Sequence, residues 1–182
     1  MNIELPATIF GLIYVVLSIQ KIRWCWLFAC LSSAIYVYIF WNTRLLNLAI
    51  LQIFFIGSSI YGFYSWGQQT PNDFKFLSWK QRLKIILLTL LLSIINYYLC
   101  LKLTPQSANI LDSFLAIASV AASLMATRRK IDSWIFWAVI NFISVYLFII
   151  SGLVPTALLY FIFLLLSFWG LKSWTSKTTI EY

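Results

Sequence analysis

Apolar runs broken by short polar or charged stretches follow one another from end to end of this chain. A helix needs about 20 predominantly apolar residues, roughly 17 to 25, to cross the ~30 Å hydrocarbon core of a bilayer. Seven stretches qualify: 4–20, 24–41, 45–66, 82–101, 110–127, 134–151 and 155–172. The pattern therefore predicts seven transmembrane helices. Their connections are short, and the longest, GQQTPNDFKFLSWKQ at 67–81, is too small to form a domain. The opening residues MNIELPATIF lack the basic region of a cleavable signal peptide, so the first span is expected to stay in place. Gly152 and Pro155 form a stop-and-start pair between the last two spans. Asp112 reads as the N-cap of the fifth.

Shifting the chain by 108 residues superposes its two ends. Trp26 falls on Trp134, Tyr38 on Tyr146, Ala49 on Ala157, Phe55 on Phe163 and Ser59 on Ser167, and Gly62, Ser65 and Trp66 fall on Gly170, Ser173 and Trp174. Fourteen of the 41 ungapped positions from 26 to 66 are identical, where chance in so apolar a composition gives roughly four or five. The offset maps spans one to three onto spans five to seven. The fourth span restores the starting side, so the repeats are parallel, as in SWEET-type carriers, which place a substrate site between their halves near the bilayer midplane. The expected architecture is all-α, two three-helix repeats joined by a central helix. Its parts are 1–66, a loop and linker helix at 67–108 (span 82–101), 109–174, and a tail at 175–182.

Composition agrees with a lipid setting. Of 182 residues, 62% are hydrophobic and 10% charged, and the mean hydropathy is +0.89, whereas ordinary soluble domains carry about 25% charged residues. The net charge of +8 could suggest nucleic acid, but its placement is a topology signal. Lys21, Arg23, Lys75, Lys80, Arg82, Lys84, Arg128, Arg129, Lys130, Lys172 and Lys177 fall on one side, and only Arg44 and Lys102 on the other. Positive charge stays cytoplasmic, which puts the N-terminus outside and the C-terminus inside. Nucleic-acid binding is not expected. Cys25, Cys30 and Cys100 lack paired spacing and read as small apolar fillers.

From 111 to 174 the order DS…LMATRRK…WxxWxxxN with a closing GLxxTALLY resembles the PnuC-type vitamin transporters. In the first half IFGLIYVVLSIQK, SSAIYVYIFW and LQIFFIGSSIYGFYSW are similar to the same family, so the resemblance covers about residues 4–174. It implies a bacterial inner-membrane carrier for nicotinamide riboside, or in close relatives thiamine, working by facilitated diffusion. Cytoplasmic kinases then trap the product. It also implies a homotrimer, each protomer with its own pathway. The chain departs from the family where members often have Asn near Ser32 and Ser59, and YGWxxW where it reads YGFYSW. These differences weaken nicotinamide riboside relative to thiamine.

Trp134, Trp137 and Asn141 stand at i, i+3 and i+7 and share a helix face. Asn141 lies about 10 Å along the axis from Trp134, at a depth where an unpaired polar group costs several kcal/mol. An asparagine there either bonds a neighbouring helix or reads a ligand, and with the repeat and the resemblance the ligand role is preferred. Trp137 is expected to hold a cationic aromatic ring by cation–π attraction, about 2 kcal/mol or more when desolvated. Trp134 reads equally as ligand contact or interfacial anchor, and Trp24, Trp26, Trp66, Trp79 and Trp174 as anchors. Gln52 and its repeat partner Tyr160 are similar in place to family positions facing the centre. Ser32 and Ser33 sit mid-span, Ser33 as the repeat partner of Asn141. Ser59, Tyr64, Ser144 and Asn96 are further candidates, more often helix glue, and Asn47 is expected to be merely solvated.

The chain has no histidine, and its carboxylates, Glu4, Asp73, Asp112, Asp132 and Glu181, all fall in loops, termini or span ends. Coupled pumps keep ionisable groups inside the membrane, so a passive uniporter without cofactor or metal is expected. An enzyme would need an acid, base, metal or activated nucleophile, for which no cluster exists. A purely structural or assembly subunit would have no use for a polar midplane stripe.

Overall fold

The computed structural model describes residues 3–43, 46–68, 74–103 and 109–176. Arg44, Pro71, Asp73, Pro105, Lys177, Glu181 and the side chain of Asn47, on which expectations above rest, lie outside the described residues. Seven helices are described: α1 (Glu4–Ile19), α2 (Cys25–Asn42), α3 (Leu46–Gln68), α4 (Trp79–Leu103), α5 (Ile110–Thr127), α6 (Asp132–Ile150) and α7 (Val154–Ser176). Each coincides with an expected span. Six are long and apolar enough to cross a membrane, which makes the chain a multi-pass membrane protein. At 16 residues α1 falls short, spanning about 24 Å.

The helices pack as a closed ring in the order α1, α2, α3, α5, α6, α7 and back to α1. α4 stands outside the ring and packs along α5. Accordingly α4 buries little more than Thr89 and Ser93 and exposes Leu83, Leu87, Leu91, Tyr98 and other large apolar side chains. In water so much bare apolar surface would be a liability. In lipid it needs no cover.

Helix ends follow local chemistry that the apolar pattern hides. α4 begins at Trp79, three residues earlier than expected, because SWKQ forms a capping box: Ser78 N donates to Gln81 Oε1 (3.1 Å) and Gln81 N to Ser78 Oγ (3.4 Å). The N-cap of α5 is Asn109, whose side chain accepts from Leu111 N at 2.8 Å. Asp112, expected there, lies instead in the first turn. α1 and α5 stop in matching turns. Lys21 (φ +63°) and Arg129 (φ +54°), 108 positions apart, both adopt the left-handed conformation, and the following amides return to Leu17 O and Met125 O. Such 6→1 bonds satisfy carbonyls that a helix end leaves without partners.

One carboxylate fastens the α3–α4 connection. Asp132, 1% exposed, accepts from Leu77 N through Oδ2 and from Arg82 Nε through Oδ1, both at 2.7 Å, and it sits at the positive end of α6. Lys75 N and O pair with Arg129 O and Ile131 N. An amide at 132 offers one acceptor where two donors converge. Asp132→Asn should therefore lower stability by about 1–3 kcal/mol, read as a fall in melting temperature in detergent. Unchanged melting would show that this clamp contributes nothing.

Tryptophans close the same end of the bundle. Trp66 Nε1 donates to Ala126 O (3.2 Å) and Trp174 Nε1 to Ser18 O (3.0 Å), so the third helix of each half bonds the first helix of the other. Trp26 lies on Gly62 and Trp134 on Gly170, so closely that a Cβ on either glycine would stand 2.5 Å from ring carbons. Trp26, Trp66 and Trp174 are 2%, 3% and 0% exposed. They are core residues, not the interfacial anchors expected. Trp24 and Trp79 are exposed, as anchors would be.

Candidate functional site

Inside the ring lies a cavity of about 110 Å³ bounded by Gly11 and Tyr14 of α1, Trp26, Ala29, Ser32 and Ser33 of α2, Phe55 and Ser59 of α3, Ser123 of α5 and Trp137 of α6. It opens between the halves, with Trp137 and Ser123 facing a wall made mostly by the first. Trp137 is half-buried and packs against the Ala118, Ala122 and Ile140 cluster, which fixes the indole while leaving part of it open to the hollow. A neighbouring groove of about 220 Å³ between α2 and α3 shares Trp26 and Ser59 with the cavity.

The wall is apolar with hydroxyls set into it. Ser32 Oγ donates to Ala7 O (2.8 Å) and Ser59 Oγ to Phe55 O (2.7 Å). Ser123 Oγ and Ser58 Oγ share a 2.6 Å bond that ties α5 to α3. A hydroxyl that gives its proton to a helix carbonyl still presents lone pairs. Below the cavity Trp26 meets Trp66 edge-on, centroids 5.5 Å apart. Trp66 meets Phe74, which stands 4.4 Å from Trp174 and carries Lys21 and Arg129 over its faces at 4.6 and 5.1 Å. This aromatic and cationic layer shuts the basic end.

Of the residues singled out from sequence, the structure brings Trp137, Ser32, Ser33 and Ser59 to the cavity. Asn141 is buried beside it, 6% exposed, and its Nδ2 donates to Ser167 Oγ of α7 at 3.1 Å. Here its amide links two helices instead of opening onto the hollow. Trp134 does not line the cavity either: its face rests on Gly170 and its ring meets Trp174 edge-on at 5.3 Å. Tyr160 packs against Phe148, centroids 5.1 Å apart. Neither Tyr160 nor Gln52 borders the cavity, and Ser144 is buried away from it. Tyr64 is 65% exposed and edges the neighbouring groove.

Sequence reasoning passed over Gly11, Tyr14, Trp26, Ala29, Phe55 and Ser123. The 108-residue offset held a signal for Ala29, which is the repeat partner of Trp137: a small side chain stands where the other half has an indole, and room appears there. Among the described residues no group of three His, Cys, Asp or Glu side chains is placed to hold a metal ion. The arrangement suits a flat ring held by an aromatic face with hydroxyls at its edge.

Comparisons with known proteins point the same way. A family model described as nicotinamide mononucleotide transporter matches residues 1–176. The chain is 27% identical to the nicotinamide riboside transporter PnuC of Escherichia coli (strain K12), covering 96% of this chain and 85% of that protein. It is 22% identical to the riboflavin/roseoflavin transporter RibM of Streptomyces davaonensis, covering 94% and 83%. The crystal structure of the vitamin B3 transporter PnuC has a similar fold, with a TM-score of 0.81 at 20% identity over 97% of this chain and 81% of that one.

Proposed function

The chain belongs to the nicotinamide mononucleotide transporter family, and from that premise we propose that it is a bacterial inner-membrane carrier for a vitamin precursor bearing a flat cationic ring, nicotinamide riboside above others. The observation that carries this reading is Trp137, an indole held open to a hydroxyl-studded cavity between the halves. A desolvated indole face attracts a pyridinium ring by about 2 kcal/mol or more. A cavity of about 150 Å³ accepts benzene, so the present hollow of about 110 Å³ fits little more than a ring. The ribose needs the adjoining groove or a wider conformer.

The halves act as parallel repeats that rock about a midplane site. Their kinship is supported by the paired left-handed turns at Lys21 and Arg129 and the reciprocal indole bonds of Trp66 and Trp174. Opening the basic end must part those indoles from Ala126 and Ser18. That end faces the cytoplasm by the positive-inside rule, with the N-terminus outside and the C-terminus inside. The protein works as a trimer with one pathway per protomer.

Transport is uncoupled. Glu4, Asp112 and Asp132 stand in the first turns of their helices, and no carboxylate occupies a helix middle among the described residues. Accumulation then depends on phosphorylation by a cytoplasmic kinase. Purified protein in empty proteoliposomes should bring labelled nicotinamide riboside to equal concentrations inside and out, faster than thiamine or riboflavin. Accumulation against a gradient would overturn the uncoupled mechanism, and faster thiamine or riboflavin entry would reassign the substrate.

A further inference from the structure

The two halves differ at one point that bears on what the cavity reads. In the second half Asn141 Nδ2 donates to Ser167 Oγ at 3.1 Å, and Ser167 Oγ donates to Phe163 O at 2.8 Å. The positions 108 residues earlier are Ser33, Ser59 and Phe55. Ser59 Oγ donates to Phe55 O at 2.7 Å, so that bond is repeated. The amide is not. Ser33 is 7% exposed, and its hydroxyl makes no hydrogen bond among the described residues. Ser33 and Ser59 both border the cavity. Where one half carries a carboxamide of its own, the other has two buried hydroxyls and empty space.

We propose that Ser33 and Ser59 form the recognition point for a primary carboxamide on the transported molecule, which enters the place that the Asn141 side chain fills in the other half. The chemistry of the pair is directional. The Ser59 proton is committed to Phe55 O, so its oxygen accepts, as the Ser167 oxygen does from Asn141. The Ser33 hydroxyl is uncommitted and donates. One acceptor beside one donor complements the N–H and C=O of an amide. A carboxylate offers acceptors only, and it would leave the Ser59 lone pair facing a negative oxygen. The site should therefore take nicotinamide riboside and refuse its carboxylate analogue, nicotinate riboside. This rests on the carrier reading above and assigns the specificity of that same site.

The test uses purified full-length protein in detergent, with binding of both ribosides followed by tryptophan fluorescence and calorimetry. The wild type should prefer the amide at least tenfold. Ser33→Asn places in the first half the side chain that the second already holds against its serine. It should melt like wild type and lose nicotinamide riboside binding tenfold or more. Ser33→Ala keeps the room but removes the donor, and should cost about fivefold for the amide. Equal binding of amide and acid by the wild type, or undiminished amide binding in both variants, overturns the carboxamide site and leaves the carrier reading intact. Failure of nicotinamide riboside, thiamine and riboflavin alike to bind overturns both.

Discussion

Trp137→Ala is expected to abolish uptake of nicotinamide riboside into proteoliposomes, while the protein should still reach the membrane and melt within a few degrees of the parent. The indole borders the cavity and its other face leans on Ala118, Ala122 and Ile140, so its removal widens the hollow and deletes the one tryptophan that α6 lends to it. Loss of about 2 kcal/mol of cation–π attraction is about thirtyfold in affinity, enough to empty the site at working concentrations. Trp137→Phe retains a π face and should keep part of the activity. Trp169→Ala is the control: that side chain is 53% exposed on α7, and its loss should leave uptake unchanged. Wild-type uptake by the Trp137→Ala protein would refute the site.

Gly62→Ala and Gly170→Ala should each destabilise the bundle, by about 1–3 kcal/mol for an overpacked core. At either position the new Cβ would stand 2.5 Å from carbons of the indole. Other rings hold these indoles against the glycines: Trp26 meets Tyr14 and Trp66, and Trp134 meets Trp174. Gly57→Ala provides the contrast. Nothing lies within 4 Å of a Cβ there, and alanine is the better helix former by about 1 kcal/mol, so that variant should melt at the parent's temperature or above it. Thermal melts of the three proteins side by side decide the matter. Equal behaviour would mean that the glycine–indole contacts carry no packing constraint.

Helix number and rough extent were legible because a long apolar run admits few other structures in lipid. The ends were less so. SWKQ reads as part of a connecting loop until Ser78 and Gln81 are seen to cap each other, and Asp132 reads only as a carboxylate near a span end until Leu77 N and Arg82 are found on it. Trp26, Trp66 and Trp174 were mistaken for anchors because tryptophan at the end of an apolar run usually is one. Their repeat partners were the better guide, since Gly62 and Gly170 recur with Trp26 and Trp134 at one offset, as a close glycine–indole contact demands. For the cavity, Trp137, Ser32, Ser33 and Ser59 were accessible as polar or aromatic positions in mid-span. Gly11 and Ala29 matter by being small, which no motif announces. The partner of Asn141 was not legible from α6, because the hydroxyl that meets its amide belongs to α7.

The bond from Trp174 to Ser18 joins positions 156 residues apart. A ribosome adding about 5–20 residues per second takes roughly 8 to 30 s to cover that distance. Throughout that interval Ser18 O has only its local bond from Lys21 N, and Ile19 O, which Ser173 Oγ reaches at 3.0 Å, waits for α7 to arrive. The α1–α7 seam of this protein therefore closes only after α7 is threaded, and a nascent chain halted before Trp174 is left with that seam open at its first helix.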